Sequence, residues 1–292
     1  SPRVNGGWEE PGIHVRTSGG RHALARFYRL YRLGKGLVSQ VDLITSEDPL
    51  ELGVVAWLLA RHGRKPFEMQ DHAGTFEDVH TYEPWWVIRR WLSRFLLPHA
   101  RVIRTVNPQS FHRLQSVYHH DAYWLPIAPH QRYFEAPFIS QEQREELVVC
   151  VARLVPVKRL HLLLSAFEVF ARQHPQARLA IVGSGVLEKR LRRQAKRLSC
   201  AERIHWGGSD DPLPWLQRAR VFALLSAHEG WGVASMEAAA LGVPVLMTRT
   251  GCGPWLQEKG QAFLVDDVAP KAIATSLEAA WNMSVLPLRG VY

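Results

Sequence analysis

Short apolar runs alternate with amphipathic segments along the second half of the chain. The segment after the first run repeats apolar residues at three- and four-residue spacing, with Leu160, Leu163, Leu164, Phe167 and Phe170 on one face. That spacing is typical of a helix that covers a sheet. Strands and helices in regular alternation predict a parallel, doubly wound sheet, whose ligands bind at the carboxyl ends of the strands. The strands are predicted at residues 146–152, 177–182, 203–206, 221–225 and 243–247.

The first half of the chain alternates less regularly. Strands are predicted at residues 41–44, 66–70 and 101–105, and helices at 50–61 and 84–97. Residues 128–144 contain Pro129, Pro137 and many polar side chains, which indicate a linker. We therefore expect an α/β protein of two domains, an N-terminal one at 1–143, with the linker from about residue 128, and a C-terminal one at 144–292.

The predicted helix at 84–97 mixes aromatic residues with three arginines. Trp85, Ile88, Leu92 and Phe95 form a plausible stripe that packs in a core, and this interpretation is favoured. A basic helix with exposed aromatic residues can also lie on a membrane surface, so peripheral membrane contact is the alternative.

Composition and charge narrow the classes of partner. The chain is 47% hydrophobic and 22% charged, as in ordinary globular proteins, and its net charge of +9 favours nucleotide phosphates, nucleic acid or an acidic membrane. No motif that reads a nucleic-acid groove is present, so we expect no nucleic acid. No run reaches eighteen apolar residues, which predicts no transmembrane helix. Cys150, Cys200 and Cys252 lack CxxC spacing and fit free thiols, so we expect a cytoplasmic location, with or without peripheral membrane contact.

Two carboxylates flank a predicted junction of strand, loop and helix. Glu229 lies in the loop after the apolar run at 221–225, and Glu237 lies about one turn inside an Ala-rich helix that stops at Gly242. Between them, the amides of Gly230, Trp231, Gly232 and Val233 lie where the helix begins. A helix N-terminus binds anions such as a diphosphate. Two carboxylates would repel an anion, so their presence beside an anion site needs a reason. A nucleotide sugar supplies one, because its phosphates bind the amides while its hydroxyls donate hydrogen bonds to the carboxylates.

A second pair of charges lies between a predicted strand and a predicted helix. Arg153 and Lys158 follow the strand at 146–152. Arginine can bind a phosphate bidentately and lysine acts as a point charge, so together they can neutralise a diphosphate leaving group. The simpler alternative is two solvated cations in a loop.

Both pairs resemble motifs of glycosyltransferase family 4, retaining enzymes of the GT-B fold with two Rossmann-like domains. The order Ser226, Glu229-Gly230, Gly232, Glu237-Ala238 and Gly242-Val-Pro244 is similar to that family's pattern of two glutamates separated by seven residues. The resemblance implies that Glu229 contacts the donor hexose, Glu237 the ribose hydroxyls, and Arg153 with Lys158 the diphosphate. The family has Glu-Lys-Gly where this chain has Val157-Lys158-Arg159, which keeps the lysine and loses the flanking residues.

The resemblance also implies weaker site positions. Gly183 and Gly185 follow the strand at 177–182 as the family's Gly-x-Gly turn beside the nucleotide does, although a tight turn needs glycine in any case. Gly207 ends the next strand, where the family contacts the base. In the first half, His72 resembles a family histidine near the donor sugar and acceptor, although an ordinary surface or packing histidine is the better default among the 14 histidines of the chain.

We therefore expect a retaining glycosyltransferase that uses a UDP- or GDP-sugar and an unidentified glycan, lipid or small-molecule acceptor. No metal ligands at suitable spacing are visible, and neither a metal nor any other cofactor is expected. The alternatives are an incomplete or non-catalytic fragment that binds a nucleotide sugar, and a nucleotide-sugar epimerase of the same fold.

The start of the chain departs from the family. It has no initiator Met and no apolar core of a signal peptide. The family begins with a strand followed by a glycine-rich loop, and no such pattern is recognisable before residue 40. We expect that the first β-α-β unit of the N-terminal domain is missing, so that this domain is incomplete.

Overall fold

A computed structural model of the chain describes residues 9–10, 13–14, 23–47, 51–72, 74–76 and 86–289. Contacts divide the chain into two compact units, Ser1–Leu125 and Pro126–Tyr292. None of the described helices is both long and apolar enough to cross a membrane.

The first unit is built on a sheet of four parallel strands in the order β3-β4-β5-β6. Helices connect the strands, as parallel pairing requires. A two-stranded antiparallel pair, β1-β2, precedes the sheet along the chain. The strands are β1 (Glu9–Glu10), β2 (Ile13–His14), β3 (Ile44–Ser46), β4 (Phe67–Asp71), β5 (Val102–Thr105) and β6 (Ala122–Trp124). The helices are α1 (Ala23–Lys35), α2 (Glu51–Gly63), α3 (Trp86–Leu96) and α4 (Pro108–Ser116).

Helix α3 has a different buried face from the one predicted. Leu96 is fully buried and Leu92 packs against the core, whereas Ile88 is 56% exposed and Phe95 41% exposed. The predicted stripe is therefore wrong for Ile88 and Phe95, because the helix is turned so that its Leu92–Leu96 side meets the sheet. Trp85 lies outside the described residues.

The second unit is built on a sheet of six parallel strands in the order β12-β11-β10-β7-β8-β9. The five predicted strands are confirmed as β7 to β11, while the strand β12 and the last helix were not predicted. The strands are β7 (Leu147–Val151), β8 (Arg178–Val182), β9 (Ile204–Gly208), β10 (Val221–Leu224), β11 (Val245–Thr248) and β12 (Ala262–Val265). The helices are α5 (Gln131–Glu135), α6 (Leu160–Phe170), α7 (Glu188–Ala195), α8 (Pro212–Arg218), α9 (Val233–Ala240), α10 (Gly253–Glu258) and α11 (Pro270–Trp281).

The order of these strands determines where the predicted motifs lie relative to one another. Strands β7 and β10 are neighbours, and from them the sheet grows outward in both directions. Such a switch point leaves a crevice at the carboxyl ends of the two strands, because their connections run to opposite sides. Every residue of β10 is buried, as expected for a central parallel strand.

The segment predicted as a linker is structured and lies in the second unit. It contains α5 and a 3-10 turn at Gln141–Gln143, and the division between the units falls before it, between Leu125 and Pro126. Next to this turn, the buried Arg144 guanidinium donates hydrogen bonds to four backbone carbonyls, at 2.8–3.2 Å. These carbonyls belong to Gln217, Ala219, Leu241 and Gly242, at the ends of α8 and α9. Burial lowers the pKa of Arg144 to about 10.

Candidate functional site

Lys158 and Glu229 meet at the carboxyl ends of β7 and β10. Nζ of Lys158 donates to Oε1 of Glu229 at 2.6 Å, and the hydroxyl of Ser226 donates to the same oxygen at 2.5 Å. The lysine side chain is 15% exposed and the glutamate side chain 8% exposed. Two donors on one oxygen stabilise the carboxylate in this secluded position.

Backbone contacts hold the two loops together. The amide of Ala227 donates to the carbonyl of Val157 at 2.7 Å, which joins the β10–α9 loop to the 3-10 turn that carries Lys158. From β11, the hydroxyl of Thr248 donates to the carbonyl of Ser226. The loop geometry around Glu229 is therefore set by neighbouring strands rather than by the loop alone.

A third loop, after β11, packs against the backbone of the loop that carries Glu229. Gly251 has φ of +52°, and a Cβ there would lie 2.6 Å from the carbonyl oxygen of Trp231 and 2.9 Å from Cβ of Glu229. The amide of the buried Cys252 donates to the Trp231 carbonyl at 2.7 Å. Only glycine permits this close approach.

Helix α9 begins immediately after this loop. Its N-cap is Gly232, and its first residue is Val233. Amides in the first turn of a helix have no partner inside the helix, so this end favours a negatively charged ligand. Gly230 and Trp231 precede it in the same loop, where the sequence predicted them.

Arg153 is exposed and follows β7 directly, two residues after the strand ends. Lys158 lies in the same β7–α6 connection, so the predicted cation pair shares one loop at the switch point. Lys158 already contacts Glu229, whereas the exposed Arg153 is accessible to an anion from solvent.

Glu237 lies on α9 in a separate environment. It is partly buried, and this burial raises its pKa to about 6, although the nearby Tyr133 and Arg132 lower it. Tyr133 lies on α5 and is itself 2% exposed. The two predicted carboxylates therefore differ, since Glu229 is paired with a cation, whereas burial favours the protonated form of Glu237.

Gly183 and Gly185 have a structural reason to be glycine. A Cβ on Gly183, with φ of +138°, would lie 1.9 Å from the carbonyl oxygen of Ala152, and one on Gly185 would lie 2.6 Å from that of Leu154. The two glycines let the turn after β8 run against the loop that carries Arg153. Their contact with a nucleotide stays a prediction.

Gly207 is the last but one residue of β9, at the end of the strand as predicted, and a short loop leads from this strand to α8. The N-cap of α8 is Asp211, whose side chain accepts from the amide of Leu213 at 3.2 Å. Contact between this loop and a base also stays a prediction.

His72 belongs to the first unit, directly after β4. Its Nε2 lies 3.1 Å from Oε1 of Gln70, which also accepts from Arg104 at 3.1 Å. The histidine is thus part of a polar network at the carboxyl ends of β4 and β5. Its predicted role near the donor sugar stays a prediction.

The sequence did not indicate three residues that shape the site: Ser226 as a donor to Glu229, and Arg132 and Tyr133 beside Glu237. The serine was part of the recognised pattern without a role. The other two lie in the segment interpreted as a linker, where no pattern marks a buried tyrosine. Among the described residues, no group of three His, Cys, Asp or Glu side chains is placed to hold a metal ion.

Two α/β units, each with a parallel sheet, are the architecture of GT-B glycosyltransferases. The family model of glycosyl transferases group 1 matches residues 134–289, more than half of the chain. The chain belongs to this family, which confirms the resemblance at the level of group 1 glycosyl transferases.

Curated relatives match part of the chain. A GDP-mannose-dependent alpha-(1-6)-phosphatidylinositol monomannoside mannosyltransferase of Mycolicibacterium smegmatis is 35% identical over 142 residues, which are 45% of this chain and 37% of that protein. The Vi polysaccharide biosynthesis protein VipC/TviE of Salmonella typhi is 36% identical over 100 residues, 34% of this chain and 17% of that protein. The chain thus spans less than half the length of these relatives.

Solved structures show the same fold over most of the chain. Anabaena Alr3699/HepE in complex with UDP has a TM-score of 0.71 at 18% identity, covering 89% of this chain and 74% of that one. Sucrose-phosphate synthase from Thermosynechococcus elongatus has a TM-score of 0.75 at 18% identity, covering 95% of this chain and 76% of that one.

Proposed function

We propose that the chain transfers a sugar from a nucleoside-diphosphate donor to an acceptor hydroxyl with retention of configuration at the anomeric carbon. The observation that carries this proposal is the Lys158–Glu229 pair beside the start of α9. Membership of the group 1 family supports it. Placement in family 4, with its retaining outcome, is part of the proposal.

Three features would act on the donor diphosphate. Arg153 and Lys158 supply positive charge from the β7–α6 connection, and the first turn of α9 supplies amide donors. When the bond between the anomeric carbon and the diphosphate oxygen breaks, negative charge grows on that oxygen. Fixed positive groups stabilise this charge more than they stabilise the intact donor, so they accelerate the step. Because these groups do the work that a cation does elsewhere, we expect transfer without a divalent metal.

The carboxylates would act on hydroxyl groups. Glu229, held by Lys158 and Ser226, accepts hydrogen bonds from the hexose, and Glu237 accepts from the ribose. Gly183, Gly185 and Gly207 line the nucleoside side through backbone atoms. His72, in the first unit, is proposed to bind near the acceptor.

The names of similar proteins suggest donors for a first screen. One relative is GDP-mannose-dependent by name, and the HepE structure contains UDP. We therefore propose a UDP- or GDP-sugar as donor, and test UDP-glucose and GDP-mannose first.

The test is release of nucleoside diphosphate from each donor, measured with and without a panel of glycan, lipid and small-molecule acceptors. Proton NMR of the product gives the anomeric configuration. Lys158→Ala and Glu229→Gln should each lose about 100-fold or more in rate, while Arg192→Ala, on the exposed side of α7, stays near wild type. Wild-type rates in both site variants would overturn the proposal.

Two other results would replace the proposal with an alternative. Saturable donor binding without turnover under any acceptor would favour an incomplete or non-catalytic fragment, consistent with the partial coverage of the relatives. Conversion of the donor into an epimer without acceptor would favour the epimerase.

We also infer peripheral contact with an anionic membrane, through the exposed face of α3. Val87, Ile88, Trp91 and Phe95 lie within one third of the helix circumference and are 59%, 56%, 67% and 41% exposed. Arg94 flanks this face, and exposed aromatic and aliphatic residues beside arginine are suited to the headgroup region of a bilayer.

A further inference from the structure

The solvent-facing side of α7 carries positive charges alone. Within residues 188–197, along α7 and the turn that follows it, the exposed side chains are Lys189, Arg190, Arg193, Lys196 and Arg197. We call these five residues the α7 stripe. On the opposite side of the helix, Leu191 and Ala195 are buried, with 2% and 4% of their surface exposed. Every exposed side chain of this segment is therefore a cation.

This arrangement costs helix stability. Arg193 follows Lys189 by four positions and Arg190 by three, and like charges at these spacings on a helix repel each other. Among the described residues, no carboxylate forms an ion pair with a member of the stripe, whereas the neighbouring Arg192 pairs with Glu188 at 2.9 Å. A surface that serves only solubility mixes both signs of charge. A stripe of one sign without counter-charges is explained by an anionic partner that neutralises it.

The stripe starts beside the candidate donor site. The amide of Leu187, directly before α7, donates to the carbonyl of Leu154 at 3.0 Å, and the amide of Leu154 donates to the carbonyl of Ser184 at 2.9 Å. Leu154 belongs to the β7–α6 connection, which also carries Arg153 and Lys158. From this point the members of the stripe follow one another over about 10 Å of helix. A linear ligand on the stripe therefore has one end near the groups proposed to hold the donor.

We propose that the α7 stripe binds the acceptor, and that this acceptor is a linear glycan with acidic groups along its chain. The end that receives the sugar lies toward the N-terminus of α7, and the rest of the chain follows the stripe. Lysine acts as a mobile point charge and arginine can bind an acidic group through two donors, so the stripe can follow a flexible polyanion. The inference rests on the proposed function, because it names the class of acceptor for that transfer.

Two other anionic partners fit the stripe less well. A bilayer takes up aromatic or aliphatic side chains beside the cations, as proposed for α3, and the stripe contains none. Single-stranded nucleic acid stacks its bases on aromatic rings. The ring of Trp206 already has the Arg192 guanidinium over it, with the guanidinium carbon 4.8 Å from the ring centre. An acidic glycan needs neither apolar insertion nor stacking, so the charges of the stripe are sufficient for it.

The first experiment measures the binding of hexagalacturonate, a linear glycan with one carboxylate per sugar, by isothermal titration calorimetry. The wild type should bind it, and should bind digalacturonate more weakly because the shorter chain spans only part of the stripe. The stripe variant, Lys189→Gln with Arg193→Gln and Lys196→Gln, should lose about 10-fold in affinity, the combined value of three exposed ion pairs. Raising NaCl from about 50 to about 200 mM should weaken binding to the wild type more than binding to the stripe variant.

A control variant separates the stripe from the net charge of the protein. It removes three exposed cations elsewhere in the second unit: Arg172→Gln, Lys259→Gln and Lys271→Gln. Its affinity for hexagalacturonate should stay close to that of the wild type. An equal loss in the control variant and the stripe variant would reduce the effect to net charge and overturn the inference.

A second control separates charge from folding. The charge-conserving variant Lys189→Arg with Arg193→Lys and Lys196→Arg should bind hexagalacturonate like the wild type. The stripe variant relieves repulsion on α7, so its Tm should not fall below that of the wild type. A lower Tm would assign these side chains a structural role and overturn the inference.

The transfer reaction gives a further readout. With an acidic glycan as acceptor, the stripe variant should raise the acceptor KM by about 10-fold and leave kcat unchanged, because the stripe holds the chain and not the reacting atoms. Activity confined to neutral glycans, lipids or small molecules would overturn the inference. Tighter binding of phosphatidylserine vesicles or of oligothymidylate than of hexagalacturonate to the stripe would assign it to a membrane or to nucleic acid instead.

The outcomes separate this inference from the proposed function. If the wild type binds no nucleoside diphosphate, or binds one independently of Lys158, the proposed function fails and the stripe has no acceptor role. If donor binding requires Lys158, but hexagalacturonate binds equally to the wild type and the stripe variant, only the inference about the stripe is overturned.

Discussion

Nζ of Lys158 lies 2.6 Å from Oε1 of Glu229, although 71 positions separate the two residues in the chain. Each follows one of the two central strands of the second sheet. The pair therefore exists only after β7 and β10 are aligned, and it stands in a buried position where a lone charge is costly.

Removal of one partner of this pair should destabilise the fold more than removal of both. Lys158→Ala leaves the Glu229 carboxylate buried without its cation, which should lower the free energy of unfolding by about 3–5 kcal/mol. The double variant Lys158→Met with Glu229→Gln buries no charge and should lose clearly less. Urea denaturation of the three proteins measures this difference.

An exposed ion pair supplies the control for that comparison. Arg192 pairs with Glu188 on α7, with side chains 42% and 35% exposed. Arg192→Met should cost less than about 1 kcal/mol. A Lys158→Ala variant as stable as the double variant would show that the pair is not electrostatically coupled.

Glu237→Gln should gain stability relative to the wild type as the pH rises. Burial raises the pKa of Glu237 from 4.5 to about 6 in the folded protein. The folded state therefore binds this proton more tightly than the unfolded state, and the resulting stability is full below about pH 4.5 and is lost as the pH passes 6.

Glutamine does not titrate, so it avoids this loss. Melting temperatures at pH 5 and pH 8 should show a larger advantage of Glu237→Gln at pH 8. Glu258→Gln, at an exposed position on α10, should show no such change with pH. An equal effect of Glu237→Gln at both pH values would contradict the assigned burial of its charge.

Gly183→Ala should disrupt the second unit far more than Gly260→Ala. Both glycines have positive φ, +138° and +68°, which is strained for alanine. A Cβ at Gly183 would also lie 1.9 Å from a backbone oxygen, whereas no atom lies within 4 Å of one at Gly260. The Gly260 variant should lose about 1–2 kcal/mol, and the Gly183 variant several times more or all of its folded structure by circular dichroism.

Substitution of the exposed face of α3 should abolish binding to anionic vesicles. The triple variant Val87→Ser, Ile88→Ser, Trp91→Ser removes the apolar contact, while Leu286→Ser changes an exposed leucine of the second unit that is 73% exposed. In sedimentation with phosphatidylserine vesicles, the wild type and Leu286→Ser should pellet and the triple variant should stay in solution. Equal sedimentation of all three proteins would reject the membrane contact.

Much of the fold could be predicted from the sequence because central parallel strands are continuous apolar runs. The strands β7, β8 and β10 are almost entirely buried, so each forms a continuous apolar run that can be predicted from the sequence. Strand β12 was not predicted, since two of its four residues are only partly buried. Helix α3 was predicted in the right place but with the wrong buried face, because its apolar residues include the exposed Val87, Ile88 and Trp91 as well as the buried ones.

For the candidate site, the sequence predicts only those features that depend on the spacing of residues close together in the chain. The positions of Glu229 and Glu237 relative to a helix start follow from the chain itself. The contact between Lys158 and Glu229 depends on which strands become neighbours. No local pattern contains that information.

The four carbonyls bound by Arg144 affect how a ligand would meet α9. Because the guanidinium joins the last residues of α8 and α9, neither helix can slide along its axis without breaking several buried hydrogen bonds. The amide end of α9 is consequently preorganised before any ligand arrives. Binding of an anion at the N-terminus of α9 would then cost little conformational entropy in the helix itself. The selectivity of the site would depend on the loops that surround this N-terminus.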